Sequence, residues 1–209
     1  MKLQILSDTH NSKYSISEQA DVIIHAGDFS NRLSGAIEFA EKCKSLNKKF
    51  IFVLGNHDYY SSNYSSVVNF LKENYPKNAL LDDNHIKIQD KIFVGGTLFT
   101  NFRSNSPLTS PEVLLQSQKD AEQSIYDFDQ IMIDSDHRTI TANDYIELFK
   151  KYLTAAFAST NTTTINAVCS YDKTGETYKK DLNKLTNALK KNITKQTISH
   201  LNANNLIQE

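Results

Sequence analysis

Residues Lys49–Asp58 read KFIFVLGNHD, and the rest of the chain is organised around them. The apolar run Phe50–Leu54 is rich in β-branched and aromatic residues and breaks at Gly55, as a buried strand does. Asn56, His57 and Asp58 follow at once, three side chains able to bind metal or carry protons. A strand ending in Gly and then Asn-His-Asp sends chemistry out of the end of a sheet, where open α/β sheets hold their ligands.

Two earlier stretches repeat the arrangement. Leu3–His10, LQILSDTH, is an apolar strand ending in Asp8 and His10. Asp21–Asp28, DVIIHAGD, is another, ending in Gly27 and Asp28. Oxygen and nitrogen donors of this kind suit divalent Mn, Fe or Zn. The order D-x-H, G-D, G-N-H-D resembles the calcineurin-like metallophosphoesterase superfamily. GNHDYY at Gly55–Tyr60 and GGTLFTNF at Gly95–Phe102 are similar to one bacterial and phage-type branch, as are Tyr126-Asp127-Phe128 and the Arg138–Leu148 segment. The resemblance covers about residues 1–158 and implies a layered α/β fold, two β-sheets flanked by helices. Residues 159–209 read as a divergent, atypical segment of the same domain.

The resemblance also assigns roles. Asp8 and His10 would hold one divalent ion, Asn56 a second, and Asp28 would bridge both, since a carboxylate has two oxygens and a negative charge to share. Two such ions activate a water and clamp a phosphoester for in-line attack. His57 would be the general acid over the leaving group, oriented and kept protonated by a carboxylate, with Asp58 the nearby candidate. The implied function is metal-dependent hydrolysis of a phosphomonoester or phosphodiester. Other readings accompany these residues: Asp8 and Asp28 also suit turn or helix caps, His25 suits the core, and His85 (in a turn) and His137 suit solvent. Arg103 could grip a phosphate with its bidentate fork, or simply be a solvated loop arginine.

The superfamily completes its site with a later T-H or G-H and then a G-H-x-H, and neither is present. Ala167–Tyr171 reads AVCSY, with Ser170 near the first position, and Ser199–Asn202 reads SHLN, offering His200 and Asn202. The sequence then ends within a few residues, and a slipped reading frame after residue 158 is one origin to test. A catalytically impaired metal-binding or interaction module on the same fold is therefore the alternative to an enzyme.

At 209 residues one domain is expected. The formal net charge of −1 offers no broad pull on nucleic acid or anionic membrane; the partner that the resemblance implies is a small phosphoester. Cys43 and Cys169 are the only cysteines, with no CxxC spacing, which argues against a disulfide framework or zinc ribbon. The chain enters its first strand without a leader and has no bilayer-length apolar run, so a soluble, cytoplasmic protein is expected.

Between the motifs, helices are expected at Leu33–Leu46 (Ile37, Ala40 and Leu46 inward, Lys42 and Lys44 outward), Ser65–Glu73 and Asn143–Phe157. In the last of these Ile146, Phe149, Leu153 and Phe157 lie at helical spacing. Strands are expected at Ile86–Gln89, Lys91–Leu98 and Ile165–Cys169. Pro107 and Pro111 mark an exposed loop. Beyond Ser159 the residues turn to Thr, Asn and Lys, with a narrow stripe at Leu182, Leu185, Leu189 and Ile193. Looser order is expected there, because little apolar surface offsets the entropy of ordering.

Overall fold

The structure, a computed structural model, describes residues 1–102, 110–133, 138–158 and 165–169, with side chains through residue 152. Three strands, β1 (Leu3–Leu6), β2 (Val22–Ala26) and β3 (Lys49–Val53), form a parallel sheet in that order. Helix α1 (Ser34–Ser45) makes the β2–β3 crossover. A two-residue strand β4 (Ser62–Asn63) leads into α2 (Tyr64–Asn74), whose first turn is capped by the Asn63 side chain accepting from Ser66 N at 3.0 Å. Strands β5 (His85–Ile88) and β6 (Lys91–Gly96) form a hairpin, and β8 (Ile165–Cys169) joins β6 in parallel to make a second three-stranded sheet. Helices α3 (Pro111–Ser124), α4 (Asp127–Gln130) and α5 (Ala142–Ala158) complete the described chain. The two-residue strand β7 (Ile131–Met132) lies between α4 and α5 and pairs with β4. The fold is the layered α/β arrangement with several sheets flanked by helices.

Alternation along the strands explains the layers. Val22, Ile24, Ile51 and Val53 point to one face and pack on Ile86 and Phe93 of the second sheet. Ile23, Phe50 and Phe52 point to the other and pack on Phe39 and Cys43 of α1 and Val67 and Leu71 of α2. The strands expected from the sequence are present within two residues at each end, except that β1 stops at Leu6, four residues before His10. His85, expected in a turn, is the exposed first residue of β5, where a strand begins one residue earlier than its apolar run.

Three local expectations change. In α1 the buried stripe is Ala36, Phe39, Ala40 and Cys43, while Leu46 is 50% exposed, because the helix ends at Ser45. Lys42 is not simply solvated: its ammonium donates to Tyr14 O at 2.8 Å and lies 4.0 Å from the Tyr14 ring centre. Pro111 does not lie in a loop but opens α3, with Ser110 as cap accepting from Val113 N at 3.4 Å. No residue of α3 is buried, so no apolar period betrays it.

Behind the second sheet, Asp82 is buried among Tyr64, Tyr59, Thr97 and Tyr152. Tyr64 Oη donates to its Oδ2 at 2.8 Å, and Tyr59 Oη accepts from Thr97 Oγ1. Asp83 adds like charge and Lys151 opposite charge. Burial dominates and pushes the Asp82 carboxyl up to about 6. Between about pH 4 and 6 the unfolded chain has released this proton while the folded chain keeps it. Stability from this group therefore falls as pH rises through that window, by about 3 kcal/mol in all. Asp82→Asn keeps the Tyr64 bond and is expected to remove that slope in urea melts between pH 4 and 6. An identical slope in both proteins would contradict the assignment.

Candidate metal centre

The three motif loops meet at the C-terminal edge of the first sheet, and the backbone fastens them. Asp8 N donates to Gly27 O at 3.1 Å, His10 N to Asp28 O at 3.1 Å and Asn11 N to Phe29 O at 2.8 Å. The first two loops thus continue the pairing of β1 with β2 beyond the strands. Asp8, His10 and Asp28 all have positive φ, at 50°, 41° and 55°. That is the left-handed region, uncommon outside glycine though better tolerated by Asp and His. Backbone strain of this kind is common at functional sites, where it aims side chains at some energetic cost.

Their ligand atoms converge. One donor each from Asp8, His10 and Asp28 lie within 4.8 Å of one another. Asp8 and His10 are half-buried and Asp28 is 1% exposed. Ser7 Oγ donates to Asp8 Oδ2, and His57 N donates to Asp28 Oδ1 at 3.3 Å. Two carboxylates and an imidazole this close form a donor set that a divalent cation fits and that like charge otherwise disfavours.

Gly55 makes room for Asp28. A Cβ at position 55 would stand 1.9 Å from Asp28 Oδ1 and 2.6 Å from Asp28 N. The glycine that ends β3 is thus a steric requirement of the site as well as a strand stop.

Asn56 is 8% exposed, and its Nδ2 donates to Asp127 Oδ1 at 2.8 Å. The His57 ring lies edge-on to His10 with centroids 5.0 Å apart and beside Tyr60 at 4.6 Å. Its Nδ1 pairs with Asn31 Oδ1 at 3.0 Å. Asp58 does not orient His57, contrary to the expectation from their adjacency. Its carboxylate turns inward and accepts four backbone N–H groups, from Asp28 (2.9 Å), Phe29 (3.0 Å), Ser30 (3.2 Å) and Gly55 (2.9 Å). The short helical turn His57–Tyr59 sends successive side chains in different directions, so neighbours in sequence do not meet. Asp58 ties the β2 and β3 loops together. Burial pushes its carboxyl up to about 8, helped by the charge of Asp28 and opposed by the backbone N–H bonds. A cation at the site would favour its ionised form.

His25 is a core residue, as expected. It is fully buried, stacked on Phe29 at 3.6 Å, and its Nε2 pairs with Thr9 Oγ1 at 3.1 Å. Burial lowers its pKa to about 3, so it stays neutral and braces the Asp8–His10 loop through Thr9. Arg103, His137, Ser170, His200 and Asn202 lie outside the described residues. Asn31 and Asp127 were not among the expected site residues. Asn31 follows Asp28 by three positions, and Asp127 lies within the Tyr126-Asp127-Phe128 block, so both had a signal in the sequence without a role.

Fold and donor set together define an α/β protein with a candidate metal centre at its strand ends. The chain belongs to the calcineurin-like phosphoesterase family, whose model matches residues 1–192. That match runs beyond residue 158, where the sequence resemblance was expected to end. No match to a curated protein was found. Among the described residues no helix is long and apolar enough to cross a membrane.

Proposed function

We propose that this protein is a metal-dependent phosphoesterase acting on a small phosphomonoester or phosphodiester with two divalent ions, Mn, Fe or Zn. The observation that carries the reading is the convergence of Asp8, His10 and Asp28 within 4.8 Å, beside the His57 ring. Asp8 and His10 would hold one ion, Asn56 the other, and Asp28 both. When bound, such ions neutralise phosphate oxygens and lower the pKa of an attacking water. His57 would give the departing oxygen its proton, with Asn31 holding the ring through Nδ1 and leaving Nε2 for the substrate. The net charge of −1 favours a compact substrate over a nucleic-acid track.

The departure from the later histidine motifs, AVCSY and SHLN in their place, favours a second reading: a metal-binding module without turnover on the same fold. One experiment separates the two. The metal-free chain is loaded with Mn, its metal content measured, and hydrolysis of p-nitrophenyl phosphate and bis(p-nitrophenyl) phosphate followed. The enzyme reading expects Mn-dependent turnover that falls about 100-fold or more in His57→Ala with metal content kept. Bound Mn without hydrolysis favours the module, and no bound Mn sinks both.

A further inference from the structure

We infer that Asp127 is the positioning residue that aims the Asn56 carbonyl oxygen at the metal centre; the inference rests on the reading of Asn56 as a ligand. An amide ligand has two ends of nearly equal size, and only the oxygen can bind a cation. A rotation of the amide by half a turn would present an NH₂ group instead. A carboxylate removes that freedom, since it only accepts hydrogen bonds. With Asp127 Oδ1 at 2.8 Å from one end of the Asn56 amide, that end has to be Nδ2, and Oδ1 points the other way.

Asp127 is itself fixed. It is 5% exposed and accepts from Tyr60 Oη and Tyr145 Oη, each at 2.5 Å, besides Asn56 Nδ2. Three donors from the Asn56 loop and α5 satisfy a charge that would otherwise be costly to bury. The chain arranges this through small features. Ser61 N donates to Gln130 O at 3.0 Å, and β4 pairs with β7, so the segment after GNHDYY runs beside the end of α4. A buried carboxylate on the N–H of a neutral ligand also draws electron density toward the ligand's oxygen, as such partners do for metal-bound histidines. The His57 ring lies tilted against Tyr60, so one tyrosine touches both the proposed acid and the Asp127 network.

The test is Mn binding to the full, metal-free chain by calorimetric titration, with thermal melts alongside. Wild type is expected to bind two ions, and Asn56→Ala to weaken one of them. Asp127→Asn should weaken that same ion by about 10–100-fold, leaving the other within about twofold. The swap Asn56→Asp with Asp127→Asn keeps the same two groups and the same charge, and should recover the weakened ion. A merely structural Asp127 predicts a lower melting temperature without discrimination between the ions and without recovery by the swap. Asp127→Asn with both ions at wild-type affinity would overturn the inference. If Asn56→Ala itself leaves Mn binding unchanged, the reading of Asn56 as a ligand has failed and takes this inference with it. Should Asp127→Asn alone not fold, the swap decides: a folded swap that binds both ions supports the pairing, and one that has lost the Asn56 ion refutes it.

Discussion

Asp28→Asn is expected to lose more bound metal than any other single substitution in the centre, by about 100-fold or more in affinity. Ligand partners alone are worth about 10–100-fold, and Asp28 is proposed to serve two cations at once. An amide there keeps one donor oxygen and loses the negative charge. Asn56→Ala removes one ligand of one ion and should cost less. His57→Ala should keep the metal and lose turnover, because the ring sits 5.0 Å from His10 with its Nδ1 held by Asn31. Metal analysis of the three variants beside their hydrolysis rates reads the division directly. Equal metal loss in all three would contradict it.

The second large effect needs no change to any proposed ligand. Gly55→Ala places a methyl 1.9 Å from Asp28 Oδ1 and 2.5 Å from its Cγ, inside any real contact distance. The obstacle includes Asp28 backbone nitrogen at 2.6 Å, so a rotamer change alone does not relieve it. That backbone is pinned by the Asp58 carboxylate and by pairing of His10 with Asp28. Overpacking typically costs about 1–3 kcal/mol and occasionally more, and contact with backbone puts this case at the upper end. The variant should melt lower and also bind Mn weakly, although every ligand side chain is intact. A variant with wild-type stability and metal content would show that the loop yields more freely than its hydrogen bonds imply.

The sequence exposed the strand ends well, for a physical reason. A buried parallel strand needs an unbroken apolar run, and a site at its end needs polar residues immediately after, so the switch at Leu54–Gly55–Asn56 is abrupt. Helix α3 was hidden because none of its residues is fully buried: Val113 and Leu115 are about half exposed, and periodicity reports only what faces a core. Asp58 shows how chemistry can be legible and geometry not. Its type and place suited a partner for His57, yet four inward N–H groups claim it. The Asp127 bond to Asn56 spans 71 positions and depends on a pairing only two residues long, too short to carry a pattern.

The backbone bonds that fasten the motif loops have a thermodynamic corollary. Asp8 N, His10 N and Asn11 N are all satisfied by the neighbouring loop, and Asp58 satisfies four more donors. With its backbone bonds made between protein groups, the cradle is expected to assemble from the polypeptide itself, unlike small zinc domains whose folding waits for the ion. Chelation should leave a folded chain. Added metal then raises the melting point only as mass action on a preformed receptor, growing with the logarithm of its free concentration. On the proposed metal-binding reading, which ion sits there would be a matter of supply and exchange in its surroundings, and the same folded chain would pass from one metal to another without being remade.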